Sequence, residues 1–117
     1  CLNNNPLKLT KGEQGRELVY VSDVIEALQK AASNKKAYGE IINIGTNEEH
    51  KLKEIVNLVL ELTNSKVEPE FGAIPYRKHE LWHMRGDNKK AQKLLNWKPK
   101  VGIRQGLMQT IEYYKNA

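Results

Sequence analysis

An α/β fold of helices and short strands is what this 117-residue sequence predicts, and three features carry the prediction. Leu52, Ile55, Val56, Val59 and Leu60 repeat at the i, i+3, i+4, i+7, i+8 spacing of one helix face. Short β-prone runs at residues 17–21 and 40–44 stand on the N-terminal side of that stripe. Asp87 and Pro99 bracket a further helical pattern through Ala91, Leu94 and Leu95.

Taken in order, Leu7 and Leu9 alternate around Lys8 and predict one small strand before a turn between Gly12 and Gly15. Residues 17–21 follow as a β-rich run. Asp23 stands where an N-cap belongs, with Val24, Leu28 and Ala31 or Ala32 behind it at helical spacing. Residues 40–44, closed by Gly45, read as a buried strand of a mixed or parallel sheet. Thr46 and Glu49 form a candidate capping box ahead of the helix over 52–62. Pro69 confines residues 66–71 to an edge strand, because proline donates nothing to a ladder. The helix capped by Asp87 ends at Asn96, a residue that tolerates the left-handed conformation. A last helix runs from about Ile103 through Leu107 and Ile111 to Tyr114.

The length fits one domain, yet only 39% of residues are hydrophobic and 28% are charged. That balance predicts a thin core with a face that packs against something else. The net charge of +5 comes from 19 basic residues interleaved with 14 acidic ones, a dispersed pattern that speaks for a solvated surface and against nucleic acid as a partner. One cysteine forms no internal disulfide, and the absence of a signal peptide, membrane run or lipidation motif leads to the expectation of a cytoplasmic protein with no membrane partner. Beginning at Cys1-Leu2 without methionine fits an internal cut.

Two stretches carry a family pattern. GEQGRELVYVSDVIEAL from Gly12 and PYRKHELWHMRGDNKKAQKLLNWKP from Pro75, with Asn43-Ile44-Gly45 between them, resemble the C-terminal part of the extended short-chain dehydrogenase/reductases. The family pattern is R-x-F-x-Y-V-x-D-V, then N-I-G, an arginine, and D-x-S-K-A-x-x-x-L-G-W-x-P. Ser22 replaces a second acid, Gly15 a polar residue, His50 the usual serine cap and Asn96 a glycine. The resemblance spans nearly the whole chain, and it implies a fragment of a Rossmann-type, NAD- or NADP-dependent nucleotide-sugar 4-epimerase or 4,6-dehydratase. Residues 1–117 would then be a single substrate-binding subdomain. Neither a G-x-x-G-x-x-G cradle nor a Tyr-x-x-x-Lys pair occurs here, so the N-terminal dinucleotide-binding domain is expected to be a separate, missing partner. No cofactor or turnover is expected of this chain alone. Family members commonly dimerise, mostly through helices of that other half, so a homodimer of these residues is expected to be an artefact of exposed apolar surface.

The resemblance also implies site residues. Arg16 and Arg77 match the arginines that grip the substrate's diphosphate, where a guanidinium fork binds phosphate oxygens in pairs. Leu7 and Leu9, with Lys8 and Lys11 beside them, match the segment along the base and ribose, Gln14 lies two residues before Arg16, and Glu80 takes the place of an acid beside the phosphate-binding arginine. No residue here presents itself as a catalytic base. Lys90 fits the family lysine and, equally, a solvated helix flank, while Trp97 reads as a core anchor.

Three motifs compete with that reading. His79-Glu80-Leu81-Trp82-His83 spells the zincin H-E-x-x-H, but Arg77, Lys78 and Arg85 oppose a dication there, and no metal site is expected. Arg85-Gly86-Asp87 spells an adhesion tripeptide whose Asp87 is already taken as a cap. A stand-alone nucleotide- or anion-binding module without catalysis remains the other function class.

Overall fold

The computed structural model describes all 117 residues, in two compact units. The first comprises residues 1–16, 50–84 and 107–117, and the second residues 17–49 and 85–106. No helix is long and apolar enough to cross a membrane.

In the first unit, β1 (Leu7–Leu9) and β2 (Gly15–Arg16) flank a loop. β3 (His50–Lys51) leads directly into helix α1 (Leu52–Thr63), and β4 (Pro69–Phe71) follows. β1 pairs in parallel with β4, Leu7 opposite Pro69 and Leu9 opposite Phe71, so Pro69 does sit in a strand with only one neighbour. β2 and β3 are antiparallel, Arg16 facing His50. Along α1, Ile55 is buried, Leu52, Val56, Val59 and Leu60 are half-buried, and Asn57 and Glu61 are exposed, as the stripe predicts. Its N-cap is Lys51, whose N–H donates to the Glu54 carboxylate at 3.0 Å, so the expected Thr46–Glu49 box is not the cap. Asn64, left-handed at φ 49°, ends the helix.

The second unit holds helix α2 (Val21–Ala32), a 3-10 turn at Lys35–Ala37 and helix α3 (Lys89–Leu95). Helix α4 (Ile103–Asn116) contributes its first turn here and the rest to the first unit. Trp97, Ala91, Ala27 and Leu95 form the core, with Ile42, Ile44 and Ala31 packed around them. Trp97 is fully buried and its indole N–H donates to the Asp23 carbonyl at 2.8 Å. Asn96 takes φ 49° and closes α3, as its chemistry allows.

Four expectations are corrected. Asp23 is not an N-cap: Tyr20 holds that position, and the Asp23 carboxylate, 2% exposed, accepts the N–H groups of Lys100 and Val101 at 3.0 Å each. The buried side of α2 runs through Asp23 and Ala27, where small residues allow close packing, while Val21, Ile25 and Leu28 form an exposed apolar stripe. Residues 17–20 form no strand; Glu17 instead accepts from Asn47 N–H at 2.6 Å, Gly86 N–H at 2.7 Å and the Thr46 hydroxyl at 3.1 Å. Residues 40–44 form no strand and pair with none, because a strand exists only where a second backbone completes its ladder. Ile42 and Ile44 of that segment point into the core and Ile41 is 86% exposed. At α3, Asp87 does accept the Lys89 N–H at 2.9 Å, but the cap residue is Asn88, whose buried amide ties the Gly45 carbonyl to Gln92.

Candidate functional site

The loop from Thr10 to Arg16 is held from several sides within the first unit. Helix α1 opens with N–H groups that have no partner inside the helix, and Leu52 and Lys53 spend theirs on the carbonyls of Gln14 and Gly12, at 3.0 Å each. Gly12, at φ 73°, passes so close to Lys53 that an added Cβ would stand 2.8 Å from the Lys53 Cβ. Across the loop, the Glu13 N–H donates to the Tyr76 hydroxyl at 3.0 Å, and Gln14, 4% exposed, donates its amide to the Thr10 hydroxyl at 3.0 Å. Glu13 also bridges the ammonium groups of Lys53 and Lys51, which hold its carboxyl down at about 2; Lys51 is raised in turn.

A second segment, residues 74–84, lies against this loop. Ile74 N–H donates to the Leu9 carbonyl at 3.0 Å, and Gly15 N–H to the Trp82 carbonyl at 2.7 Å. Tyr76 and Trp82 meet edge to face with ring centres 4.7 Å apart. The result presents Arg16 to three acceptors: its guanidinium donates to the Gly15 and Leu81 carbonyls at 2.7 Å and to the Glu80 carboxylate at 2.6 Å. The Glu80 side chain is 8% exposed and that of Arg16 26%, so the pair is largely out of solvent.

Between loop and segment opens a cavity of about 440 Å³. Arg16, Arg77 and Glu80 line it together with Gln14 and Leu9, which brings five of the six residues implied by the resemblance to one place. Arg77 is exposed and makes no hydrogen bond or ion pair. Leu7 is absent from the lining; it is half-buried in β1 opposite Pro69. Thr10, Ile74 and Pro75 were not singled out by sequence, while Lys8 was named only as a neighbour of the leucines and Leu52 only as part of the helix stripe. A lysine between two leucines looks like any solvated strand residue, and only the fold shows that it shares a cavity with two arginines.

Residues 79–83 are not helical, so H-E-x-x-H does not set its histidines one turn apart, and no group of three or more His, Cys, Asp or Glu side chains converges. The glycines that admit close approach are filled from within the chain. Lys53 backs onto Gly12, and the Glu17 carboxylate stands 2.8 Å from where a Gly45 Cβ would be. A carboxylate at such a turn opposes a pyrophosphate, so the residues present do not fit a dinucleotide cradle.

Comparison with known proteins now bears on this arrangement. The family described as GDP-mannose 4,6 dehydratase matches residues 2–110. The chain belongs to this family. UDP-glucose 4-epimerase of Mycolicibacterium smegmatis is 31% identical over 105 residues, covering 90% of this chain and 33% of that protein. The structure of UDP-glucose 4-epimerase from Thermotoga maritima with UDP-glucose superposes with a TM-score of 0.90 at 32% identity, covering 98% of this chain and 36% of the other. UDP-glucuronic acid 4-epimerase from Bacillus cereus, solved with UDP-glucuronic acid and NAD, gives 0.87 at 28% identity, over 98% and 37%. The chain thus spans about a third of the length of the proteins it matches, and over that third it matches the extended short-chain dehydrogenase/reductase epimerases in sequence and fold.

Proposed function

We propose that these residues are the substrate-binding part of an NAD- or NADP-dependent nucleotide-sugar 4-epimerase or 4,6-dehydratase, and that the 440 Å³ cavity holds the nucleoside diphosphate. The observation that carries the reading is the convergence of Arg16 and Arg77, distant in sequence, on that one cavity. Guanidinium forks match paired phosphate oxygens, and the apolar wall of Leu9, Ile74 and Pro75 suits the flat body of a nucleoside. Anchoring a diphosphate that does not react supplies binding energy for positioning the sugar that does. The named relatives include an epimerase and a dehydratase family, and the cavity residues do not choose between them.

On this reading the chain supplies no redox chemistry, which falls to a dinucleotide-binding Rossmann domain as partner. Two surfaces support such a partner. The exposed stripe of Val21, Ile25 and Leu28 offers an apolar face, and residues 41–44 offer a backbone that pairs with no strand and carries the exposed Ile41. The 117-residue chain with NAD and nucleotide sugars is therefore expected to show no turnover, and activity surviving repurification would sink the proposal.

The binding test is a titration of UDP or UDP-glucose against Arg77→Ala. Loss of one charge-assisted contact raises the dissociation constant by about 10- to 100-fold. Arg77→Lys recovers only part, because an ammonium makes no paired contact. An unchanged constant in Arg77→Ala would refute the assignment.

A further inference from the structure

We infer that Lys8 is a third cationic contact for the diphosphate, a role that rests on the reading of the cavity given above. Lys8 is the middle residue of β1, exposed between half-buried Leu7 and Leu9, and it lines the same cavity as Arg16 and Arg77. Its ammonium makes no hydrogen bond or ion pair. Glu70 lies opposite in the β1–β4 register, yet it forms no ion pair with Lys8 and does not line the cavity.

Charge explains why a third cation belongs there. Arg16 is already committed to the Glu80 carboxylate and two carbonyls, so two arginines alone leave the lining with a net charge of only +1. Lys8 brings the four charged side chains of the cavity to +2, the charge that balances the two bridging-phosphate anions of a nucleoside diphosphate sugar. A nucleoside monophosphate gathers a similar charge on one phosphate, which reaches fewer of these separated cations than two linked phosphates do, and an uncharged nucleoside does not use the field. In water-exposed surroundings an unpaired lysine is unremarkable, but beside low-dielectric walls such as Leu9, Leu52 and Ile74 like charges repel, and an anion relieves them. Lys8 thereby acts as a determinant of how many phosphates the site prefers.

The test is a two-dimensional NMR titration of the 117-residue chain, which reads millimolar affinities. UDP and GDP are compared, and the tighter one is run beside its monophosphate and its nucleoside on wild type, Lys8→Met, Lys8→Arg and Arg77→Ala. Lys8→Met is expected to weaken diphosphate binding about tenfold, to weaken the monophosphate less, and to leave the nucleoside within about twofold, while Lys8→Arg stays near wild type. The far-ultraviolet spectrum of each variant confirms that it is folded. If Arg77→Ala weakens the diphosphate and Lys8→Met does not, the role of Lys8 is overturned and the cavity assignment stands. An equal loss for nucleoside and diphosphate in Lys8→Met would overturn it too, since the lysine would then act on the base, the ribose or the fold. Failure of both nucleoside diphosphates to bind wild type would remove the cavity reading and this inference together.

Discussion

Replacing Trp97 tests the core of the second unit, and its magnitude follows from two separable contributions. The indole is fully buried among Ala27, Ala91 and Leu95, and its N–H donates to the Asp23 carbonyl at 2.8 Å. Truncating a buried tryptophan to alanine costs about 3–5 kcal/mol through lost transfer energy and the cavity left behind. Loss of the indole's hydrogen bond to a carbonyl that keeps its helical partner adds about 0.5–1.5 kcal/mol. Against a total stability of about 5–15 kcal/mol for a domain, Trp97→Ala is expected to leave the second unit largely unfolded. Trp97→Phe separates the parts, since it keeps an aromatic ring and deletes the donor. Its expected cost is about 1–3 kcal/mol, a fall in melting temperature on the order of 5–15 °C. Urea denaturation followed by circular dichroism at the helix band reads both without relying on indole fluorescence. An unchanged midpoint in Trp97→Phe would refute the contribution assigned to the indole's hydrogen bond with Asp23.

Glu13 supplies a pH prediction. Hydrogen bonds from Lys53 and Lys51 hold its carboxyl at about 2 against an ordinary 4.5, so its contribution is present above the unfolded value and is lost as pH falls from about 4.5 towards 2. The stability difference between wild type and Glu13→Gln should accordingly shrink as pH falls from about 4.5 through about 2, and a difference independent of pH would contradict the assigned contacts. Gly12→Ala is expected to destabilise by about 2 kcal/mol or more, because φ 73° is unfavourable for a side chain and the new Cβ meets Lys53 backbone at 2.9 Å; an unaltered melting temperature would show that the loop shifts freely. Gly45→Ala pushes a methyl against the Glu17 carboxylate, so about 1–3 kcal/mol is expected from disturbed bonds to Asn47, Gly86 and Thr46. If Gly45→Ala costs little once Glu17→Ala has removed the carboxylate, the collision is the cause; if Gly45→Ala costs nothing in the wild-type background, the three bonds do not matter.

What was legible in the sequence was what neighbouring residues decide among themselves. The stripe of α1, the turn at Asn96 and the extent of α4 depend on spacing and on one residue's tolerance of positive φ, and all three appear in the structure. Asp23 misled because cap preference is local, whereas its carboxylate is claimed by Lys100 and Val101 from the far end of the chain. Residues 40–44 misled for the opposite reason: their composition is that of a strand, but pairing requires a partner and none of the strands here provides one. Helix α2 is apolar on two sides, and no periodicity distinguishes the side packed through Ala27 from the side left open at Ile25 and Leu28. Among site residues, the arginines and the segment around Lys8 were found through family resemblance, while the sharing of one cavity by Lys8 and both arginines needed the fold, since a single strand lysine carries no signal of its own.

The two arginines of the cavity are prepared differently, and the difference bears on how each contributes. Arg16 is fixed by three acceptors on a loop that is itself held by α1 and Tyr76, so little rotamer freedom remains for a ligand to remove. Arg77 is exposed and unpartnered, and ordering it on binding costs about 0.5–1.5 kcal/mol that Arg16 has already spent in folding. On the proposed reading, Glu80 is therefore a positioning residue: it occupies part of one fork so that the remaining donors face the cavity in a single arrangement. Glu80→Ala should free Arg16, raising its mobility and weakening nucleoside diphosphate binding even though a negative charge has been removed from the site. Simple electrostatics predicts the reverse, tighter binding of an anion once a carboxylate is gone. Titrating Glu80→Ala beside wild type thus decides whether preorganisation or net charge governs Arg16, and tighter binding in the variant would refute the positioning role.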